Sequence, residues 1–449
     1  MGEMKNALLS GIARIKRVNP TPAPAVKIDQ KALVVGGGIA GMTAALGIAE
    51  HGFEVTLVEK EDRLGGNLIW LKNTLEGHSV ETFLNETLTK IEKHPQIQVS
   101  LESKIVASNG EAGHFYTTIE NNEGKVNSLE HGVVVLATGG TESSTSSYNY
   151  DRSDAIITQK ELEQGINNRT IDIDKLDSVV MIQCVDSRME PRNYCSRICC
   201  SSALKHALEL KEKNPDTAIY IFYRDMMSYG FMEAYYTKAR KAGIIFIQYN
   251  IDKKPEIVVP DETQTDDKII QVNGYDPISG QDIHIDTNLV VLSTGVLPKL
   301  DKDLVEQFGA SVDQDGFFME AETKWRPVDS IKEGVFACGL AHSPRSIEET
   351  IATAEAAAQK SLRILTQEYL PSGKIVATIR HSLCSLCERC IDACPYGARR
   401  LDADLEEIVI NPLMCQGCGS CAAVCPNSAS IVEGFAEEQM FEIIDAALS

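Results

Sequence analysis

Glycine is absent from one stretch of this 449-residue chain, and the absence limits what the chain can bind. No glycine occurs from Ser178 to Asp225, although a strand predicted at 178–184 and a helix predicted at 200–213 begin a βαβ unit there. When such a unit binds a nicotinamide nucleotide, the turn between strand and helix carries glycines, because the backbone must approach the pyrophosphate. A bound nicotinamide nucleotide is therefore not expected in this part of the chain.

Long apolar runs and positive charge are also scarce. No uninterrupted apolar run approaches the roughly 20 residues of a membrane span, and residues 1–20 lack the apolar block of a secretory signal. The 43 Lys and Arg are outnumbered by 64 Asp and Glu, and the formal net charge of -21 would repel nucleic acids and anionic lipid. We expect a cytoplasmic protein with no nucleic-acid partner and no direct membrane insertion.

Cysteine, in contrast, is abundant. The chain has 13 cysteines, an odd number that excludes a fully paired disulfide scaffold, and in a reducing compartment metal ligation is the better explanation. They divide into three groups of four and one isolated residue: Cys184, Cys195, Cys199 and Cys200; Cys384, Cys387, Cys390 and Cys394; Cys415, Cys418, Cys421 and Cys425; and Cys338. This division predicts three four-cysteine sites, and it leaves Cys338 as a small core residue on a predicted buried strand.

A glycine motif near the start of the chain predicts dinucleotide binding. In "VVGGGIAGMTAALGIAEHGFEVTLVEK", Gly36, Gly38 and Gly41 stand in G-x-G-x-x-G order after a strand and at the start of a helix. These glycines allow the tight turn, the approach of backbone amides to a pyrophosphate, and close packing of helix on strand. Glu59, with Lys60 beside it, ends the second strand, where an acid accepts ribose hydroxyls. The alternative is a glycine-rich turn that binds nothing.

Further motifs resemble flavoproteins of the thioredoxin reductase type, which have two dinucleotide-binding domains. These motifs are "DRLGGN" after the acid, "VVVLATGG" and "GVFACG". The resemblance implies FAD, with additional contacts from Gly65, Gly66, Thr138, Gly139 and Gly339. It also implies that a helix beginning near Ile347 points its N-terminus at the flavin ring. Leu340 stands where such flavoproteins usually have an acid.

The stretch "QCVDSRMEPRNYCSRICC" has sulfur where an NADPH-binding unit would have glycine. Cys184 ends the predicted strand and the other three cysteines lie at the helix entry, so four thiols can converge at the edge of the sheet. Three neighbouring arginines, Arg188, Arg192 and Arg197, would stabilise thiolates or an anionic cluster. The C-x10-C-x3-C-C spacing is not a standard ferredoxin or zinc-finger pattern. A metal site, a redox dithiol of Cys199 and Cys200, and buried inert cysteines therefore all remain open.

The middle of the chain resembles the flavin iron-sulfur protein of heterodisulfide reductase, its A subunit, in "VMIQCVDSR", "YCSRICCSSALK" and "YIFYRDMMSYGFMEAYYTKAR". The resemblance covers most of residues 31–432. It implies a 4Fe-4S cluster on Cys184, Cys195, Cys199 and Cys200, with FAD beside it in place of NADPH. It also implies a catalytic role for Lys205 near the flavin ring, for which the alternative is a solvated helix lysine. Residues 1–180 lack the cysteines of the N-terminal cluster domain found in full-length relatives, which indicates a shortened form.

Two cysteine runs near the end of the chain predict a ferredoxin module. "CSLCERCIDACP" and "CQGCGSCAAVCP" each read C-x2-C-x2-C-x3-C-P, the bacterial two-cluster pattern in which the fourth cysteine of each run binds the other cluster. Zinc is less compatible, because it prefers paired C-x2-C knuckles. We predict one 4Fe-4S cluster on Cys384, Cys387, Cys390 and Cys425, and another on Cys415, Cys418, Cys421 and Cys394.

The predicted fold is α/β, a thioredoxin-reductase-like flavoprotein with two dinucleotide domains and a C-terminal α+β bacterial two-cluster ferredoxin domain. The predicted domains are an N-terminal helix and Pro-rich linker (1–30), an FAD-binding domain (31–145 and 285–368), a second Rossmann-like domain with the cysteine site (146–284), a ferredoxin domain (369–432) and a C-terminal helix (433–449). The N-terminal helix, expected over 4–18, has an apolar stripe that would pack on its own domain or on a sister copy of the chain.

Three clusters and one FAD predict an electron-transfer enzyme subunit. By resemblance, it is a dimeric part of an anaerobic complex with other heterodisulfide-reductase-like subunits. Electrons from a hydrogenase, formate dehydrogenase or flavin-oxidising partner would be passed or bifurcated at FAD, toward ferredoxin and a thiol/disulfide-reducing subunit. The alternatives are the flavin subunit of a quinone-interacting membrane-associated oxidoreductase complex without bifurcation, or a non-catalytic subunit for wiring and assembly. A self-sufficient NAD(P)H oxidoreductase would need the missing second glycine motif.

Overall fold

The computed structural model describes residues 8–13, 26–259, 269–370, 376–403, 405–411, 414–432 and 435–448. The helices are α1 (8–13), α2 (Ile39–Ala49), α3 (Val80–Lys93), α4 (Gln159–Asn167), α5 (Cys199–Lys213), α6 (Glu233–Lys241), α7 (Lys302–Gln307), α8 (Ile347–Leu365), α9 (Arg389–Asp392), α10 (Ser420–Ala423) and α11 (Glu437–Leu448). The strands are β1 (Val26–Lys27), β2 (Lys31–Val35), β3 (Glu54–Val58), β4 (Ile97–Ser100), β5 (Ser103–Glu111), β6 (His114–Asn121), β7 (Val126–His131), β8 (Val133–Leu136), β9 (Gly140–Glu142), β10 (Ile156–Thr158), β11 (Ser178–Ile182), β12 (Ala218–Tyr223), β13 (Ile245–Gln248), β14 (Glu256–Val258), β15 (Ile270–Asp276), β16 (Gln281–Thr287), β17 (Leu289–Leu292), β18 (Val296–Pro298), β19 (Val335–Ala337), β20 (Tyr369–Leu370), β21 (Ala377–Ile379), β22 (Arg399–Asp402), β23 (Glu407–Ile410) and β24 (Ser430–Val432).

The first α/β unit is built on a parallel sheet in the order β19-β8-β2-β3-β4. Its central strands are almost entirely apolar, as "KALVV" in β2 and "VVVL" in β8 show, because both faces of the sheet are covered. α2 and α8 pack together on one face, while Phe115 of β6 and Phe308 after α7 belong to the core on the other. The carboxyl ends of these strands thus share one edge, where ligands bind in such sheets.

The second α/β unit repeats this plan with the parallel order β10-β17-β11-β12-β13. α4, α5 and α6 contribute Leu162, Leu204 and Ala239 to the core on one face. Val272 of β15 and Ile285 of β16 belong to the core on the opposite face. β11 therefore ends at the same edge at which α5 begins.

The boundary between the units differs from the sequence-based expectation. The sequence suggested that the FAD-binding part resumes at residue 285, but β17 pairs in parallel with β10 and β11 of the second unit. The chain crosses between the units through an antiparallel pair, in which β9 lies against β18. A buried apolar strand such as "LVVL" does not itself reveal its neighbours, so only the pairing places β17 in the second sheet.

The cysteine-rich unit consists of two small antiparallel pairs, β21 with β24 and β22 with β23, together with α9 and α10. It contacts the first α/β unit where the Asn411 side chain donates to the Glu111 carboxylate. Within the described ranges, no helix has both the length and the apolar character to cross a bilayer. Of the predicted N-terminal helix over 4–18, residues 8–13 are helical and the remainder lies outside the described residues.

Candidate functional site

A cavity of about 1320 Å³ lies at the edge of the first sheet and extends to the second α/β unit. Its volume exceeds the roughly 300–1,000 Å³ of pockets for drug-sized ligands, so an extended dinucleotide has room. Seven of the predicted FAD contacts line it: Gly36, Gly38, Glu59, Lys60, Gly66, Thr138 and Gly139. Residues of α5 line the same cavity, among them Ser201, Ser202 and Lys205.

The remaining predicted FAD glycines, Gly41, Gly65 and Gly339, do not line the cavity but pack close to the residues that do. A Cβ on Gly41 would lie 1.8 Å from the Gly36 carbonyl oxygen, so only glycine lets α2 pack this close to β2. Gly65 has φ +123° and donates its N–H to the Gly37 carbonyl at 2.9 Å. Gly339 has φ +65°, and its Cβ would lie 2.8 Å from that of Ala40. Glycine at these three positions therefore allows the turn between β2 and α2 and the segments around it to pack closely.

Polar groups on the cavity wall fit a dinucleotide. The Glu59 carboxylate accepts the Gly37 N–H at 2.6 Å and the Glu61 N–H at 3.0 Å, which fixes its oxygens beside the glycine turn. A carboxylate oxygen has two lone pairs, so Glu59 can still accept ribose hydroxyls. The buried Thr138 hydroxyl has no hydrogen-bond partner among the described residues although it lines the cavity, and such a group normally has one.

The N-terminus of α8 forms another part of the wall. Ser346 and Glu349 make a reciprocal capping box at its first turn, and both line the cavity. The helix therefore directs its positive dipole end into the cavity, as the resemblance implied. Leu340 also lines the cavity, so the position that usually supplies an acid here supplies an apolar side chain.

The four central cysteines come from two elements of the second unit. Cys184 follows β11 with φ +59°, while Cys199 and Cys200 form the first turn of α5. Cys195 lies on the connecting loop, and its sulfur accepts the Arg197 N–H at 3.3 Å. An ion pair at 2.6 Å between Arg188 of this loop and Asp225 holds the loop close to the end of β12.

These thiols are close enough to influence one another's ionisation. Burial raises the pKa of Cys199, and the charges of the other three thiols raise it further. Burial raises the pKa of Cys200 to about 12, with Cys184 and Cys195 adding to the effect. None of these four cysteines forms a disulfide, and thiols whose pKa is raised by burial give up their protons when a metal cation compensates the charge.

The three arginines near these cysteines do not play equivalent roles. Arg188 lies 3.9 Å from the Cys184 sulfur, as expected of a group that stabilises a thiolate. Arg192 instead donates to the Ser143 hydroxyl. Arg197 connects the cysteine loop to α8 through its contact with the Glu349 carboxylate, and it also donates to the hydroxyl of Tyr229, which lies between β12 and α6.

The donor set at the central site is that of a 4Fe-4S cluster, because four cysteine sulfurs are close enough to affect one another's ionisation. Within the described ranges, no three His, Cys, Asp or Glu side chains are close enough to hold one metal ion. The Gln183 side chain is fully buried beside Cys184, and neither its oxygen nor its nitrogen has a partner among the described residues. A buried amide normally has a hydrogen-bond partner, so Gln183 is an unsatisfied polar side chain adjacent in sequence to the first of the four cysteines.

Lys205 is not a solvated helix lysine. Its side chain is 12% exposed, and its ammonium group lies 2.5 Å from the Glu163 carboxylate and 3.2 Å from the Asn73 carbonyl. Burial favours a neutral Glu163, but the hydrogen bond from His206 and the charge of Lys205 lower the pKa of Glu163 to about 2. Lys205 thus faces the cavity as a cation held by a buried anion.

The C-terminal cysteines are grouped as the ferredoxin pattern predicts. One small cavity is lined by Cys394, Cys415, Cys418 and Cys421. Another is lined by Cys384, Cys387, Cys390 and Cys425. Backbone N–H groups already point at several sulfurs, with Ala398 donating to Cys394 at 3.3 Å and Ala429 to Cys425 at 3.2 Å. Such N–H···S contacts favour thiolates that ligate iron.

The sequence did not reveal two buried charged residues. Glu163 lies on α4 and meets Lys205 across 42 residues. Arg399, 4% exposed, lines both small cysteine cavities. Glu163 carried no local signal, but the position of Arg399 at the start of an alternating strand could have suggested that it points inward.

Comparison with known families matches two parts of the chain. The family described as pyridine nucleotide-disulphide oxidoreductase matches residues 30–172, and the 4Fe-4S dicluster domain matches residues 369–429. The first implies FAD and the second 4Fe-4S clusters. The matches agree with the large cavity and with the two cysteine-lined cavities.

Curated proteins similar to this chain cover most of it. An iron-sulfur A subunit of CoB--CoM heterodisulfide reductase from Methanopyrus kandleri is 29% identical over 88% of this chain and 74% of its own. The A subunit of the Ferredoxin:CoB-CoM heterodisulfide reductase of Methanosarcina acetivorans is 28% identical over 98% of this chain and 70% of its own. The A subunit of the H(2)/formate:CoB-CoM heterodisulfide,ferredoxin reductase of Methanococcus maripaludis is 27% identical over 89% and 75%. The resemblance to heterodisulfide reductase is confirmed.

Solved structures with a similar fold include thioredoxin reductases. Those of T. acidophilum and Lactococcus lactis each have a TM-score of 0.50 and 16% sequence identity, and cover 75% of this chain. The matched regions make up 97% of the T. acidophilum chain and 99% of the Lactococcus lactis chain. The predicted two-domain flavoprotein fold with a C-terminal ferredoxin-type domain is confirmed.

Proposed function

We propose that this chain, a flavin-dependent iron-sulfur oxidoreductase subunit related to the A subunits of heterodisulfide reductases, carries electrons between one FAD and three 4Fe-4S clusters. FAD would lie in the large cavity, with its adenosine ribose against Glu59 and its pyrophosphate at the turn of Gly36 and Gly38. One cluster would be held by the four central cysteines. The other two would occupy the ferredoxin-type unit.

One observation carries this proposal: the cavity and the central cysteine site share the first turns of α5. Cys199 and Cys200 open the helix, and Ser201, Ser202 and Lys205 line the cavity. At 1.5 Å per residue, Cys200 and Lys205 are separated by only about 7.5 Å along the helix axis. A cluster on these cysteines would therefore be a near neighbour of a flavin in the cavity, so electrons have a short path between them.

Each component has a separate task. When bound, FAD exchanges electrons in pairs or singly, and each cluster exchanges one at a time. The protein would position them: α8 presents its positive end to the cavity, Lys205 supplies a cation there, and Arg188 supplies a donor beside Cys184. Glu163 holds the Lys205 ammonium group in place with one oxygen, and its second oxygen is itself fixed because it accepts the Lys72 N–H at 2.8 Å.

For the physiological reaction, we propose a place in a heterodisulfide-reductase-like complex that also contains a hydrogenase, formate dehydrogenase or other flavin-oxidising donor. The names of the relatives, which include ferredoxin, H(2) and formate, support this proposal. Electrons would arrive from the donor and divide at FAD between a disulfide-reducing partner and ferredoxin. Arg197, on the loop of the central cysteines, forms an ion pair with Glu349 of α8. This contact favours structural coupling between the central cysteine site and the FAD cavity.

Anaerobic reduction tests the role of FAD. The native complex, or the chain with reduced ferredoxin, is mixed rapidly with its acceptor while the flavin absorbance is followed. We expect the flavin band to bleach and recover within each turnover. A flavin that keeps one redox state while electrons pass would show a wiring subunit with a structural flavin. Tight binding of NADPH would instead revive a self-sufficient NAD(P)H oxidoreductase.

Replacing Lys205 by Met should slow electron transfer through FAD about 100-fold, the scale on which one preorganised charge-stabilising group contributes. FAD content should remain close to that of the wild type. The substitution removes the ammonium partner of the buried Glu163 carboxylate and leaves only the His206 side chain and the Lys72 N–H bound to it, so we expect a loss of about 1–3 kcal/mol of stability. The double variant Lys205→Met with Glu163→Gln removes both charges, so it should recover stability but not rate.

Lys213→Met is the matched control, since Lys213 lies on the same helix, is half-exposed and pairs with Glu209 at 2.7 Å. Stopped-flow bleaching of the flavin measures the rate and thermal unfolding measures the stability. A Lys205→Met chain that transfers electrons as fast as Lys213→Met would remove Lys205 from the mechanism.

A further inference from the structure

Arg399 is a buried cation between the two cysteine-lined cavities of the ferredoxin-type unit. It lines both of them and is 4% exposed. Arg399 opens β22, whose side chains alternate, so its neighbour Arg400 points outward and is 76% exposed. Two arginines with opposite environments thus stand side by side in the sequence.

The guanidinium of Arg399 is only partly satisfied by protein groups. Its Nη2 donates to the Ser430 hydroxyl at 2.6 Å. Its Nη1 has no hydrogen-bond partner in the part of the chain that the structure describes. Arginine stays protonated at any physiological pH, and a buried charge needs a compensating anion or hydrogen bonds. An anion in the adjoining cavities would therefore stabilise the buried Arg399 guanidinium.

Predicted cluster ligands line the cavities on both sides of Arg399. Cys390 and Cys425 line one cavity, and Cys394 and Cys415 line the other. One buried guanidinium is therefore shared by the two predicted cluster sites.

We propose that Arg399 raises the reduction potentials of both ferredoxin-type clusters. A 4Fe-4S cluster on four thiolates is anionic and gains a further negative charge on reduction, so a nearby buried cation stabilises the reduced form more than the oxidised form. Net charge and hydrogen bonds to sulfur are the properties by which proteins set such potentials. Arg399 provides both, from one side chain placed between the two sites.

This inference goes beyond the proposed function, because it holds whether or not electrons divide at FAD. It also indicates the direction of electron flow through the ferredoxin-type unit. Raised reduction potentials make these clusters easier to reduce. Such clusters are better suited to accepting electrons from a partner than to donating them at the lowest potential.

Redox titration of the full anaerobic chain, followed by electron paramagnetic resonance, tests the proposal. The variants are Arg399→Met, Arg399→Lys and the matched surface control Arg400→Met. In Arg399→Met, the ratio of reduced to oxidised cluster at a fixed potential should fall at least tenfold, which corresponds to about 59 mV for a one-electron couple. Arg399→Lys should recover most of the shift, because it restores the charge, and Arg400→Met should match the wild type.

Iron analysis of each variant shows whether its clusters are still bound, so that a change in potential can be interpreted. If Arg399→Met loses iron, Arg399→Gln replaces it in the titration, since glutamine keeps an N–H donor and removes only the charge. Midpoint potentials of an iron-replete Arg399→Met or Arg399→Gln chain equal to those of Arg400→Met would overturn the proposal. A shift in Arg399→Met that Arg399→Lys does not reverse would overturn the role of charge.

Discussion

Replacing Cys199 by Ser should remove the proposed central cluster while leaving FAD and the ferredoxin-type clusters in place. Cys199 begins α5 beside three other cysteines, and a 4Fe-4S cluster at this site would lose one of its four thiolate ligands. We expect the iron content to fall by about four per chain. Electron transfer between FAD and the ferredoxin-type clusters should fall at least about 100-fold, because the site that adjoins the cavity is then vacant.

Cys338→Ala is the control for this variant. Cys338 is fully buried in the core of the first unit, away from the other cysteines in the sequence, so its replacement should leave the iron content unchanged. Iron and acid-labile sulfide analysis, with rapid-reaction spectroscopy, provides the measurement. A Cys199→Ser chain with wild-type iron content and a lost reactive thiol would instead support a redox dithiol of Cys199 and Cys200.

Two glycine substitutions should impair FAD binding for different physical reasons. In Gly41→Ala, the new methyl group meets the Gly36 carbonyl at 1.8 Å, so we expect a loss of about 3 kcal/mol in stability as well as loss of flavin. In Gly38→Ala, the new methyl has no neighbour within 4 Å in the protein, but it lies in the cavity wall. Stability of the flavin-free chain should therefore be unchanged while FAD affinity falls at least about tenfold.

The exposed Gly11 provides the control, because an alanine there also meets nothing within 4 Å and lies outside the cavity wall. Flavin absorbance after purification and thermal unfolding of the flavin-free chains separate the two effects. Equal flavin content in Gly38→Ala and Gly11→Ala would place the pyrophosphate elsewhere.

Features that depend on neighbouring residues were predictable from the sequence. The turn from β2 into α2 needs glycine at Gly36 and Gly41 for local reasons, since the two residues lie against each other. The ferredoxin-type unit repeats one spacing twice, and a repeated spacing fixes which cysteines converge. The central cysteines were identifiable because they occupy a strand-to-helix turn that otherwise requires glycine.

Features that depend on distant pairing were not predictable. β17 reads as a buried strand in either sheet, and only its register with β11 assigns it to the second unit. Glu163 and Lys205 stand on different helices, and nothing in the local pattern of either helix requires the other. Tertiary packing brings these groups together, so their joint role becomes visible only in three dimensions.

The central claim is that iron and sulfide occupy the place that a nicotinamide nucleotide takes in related two-domain reductases. Chain purified without oxygen should contain one FAD and about twelve irons, four for each of the three four-cysteine sites, with an equal amount of acid-labile sulfide. A content of about eight irons, with Cys184, Cys195, Cys199 and Cys200 recovered as free thiols or joined in disulfides, would contradict it.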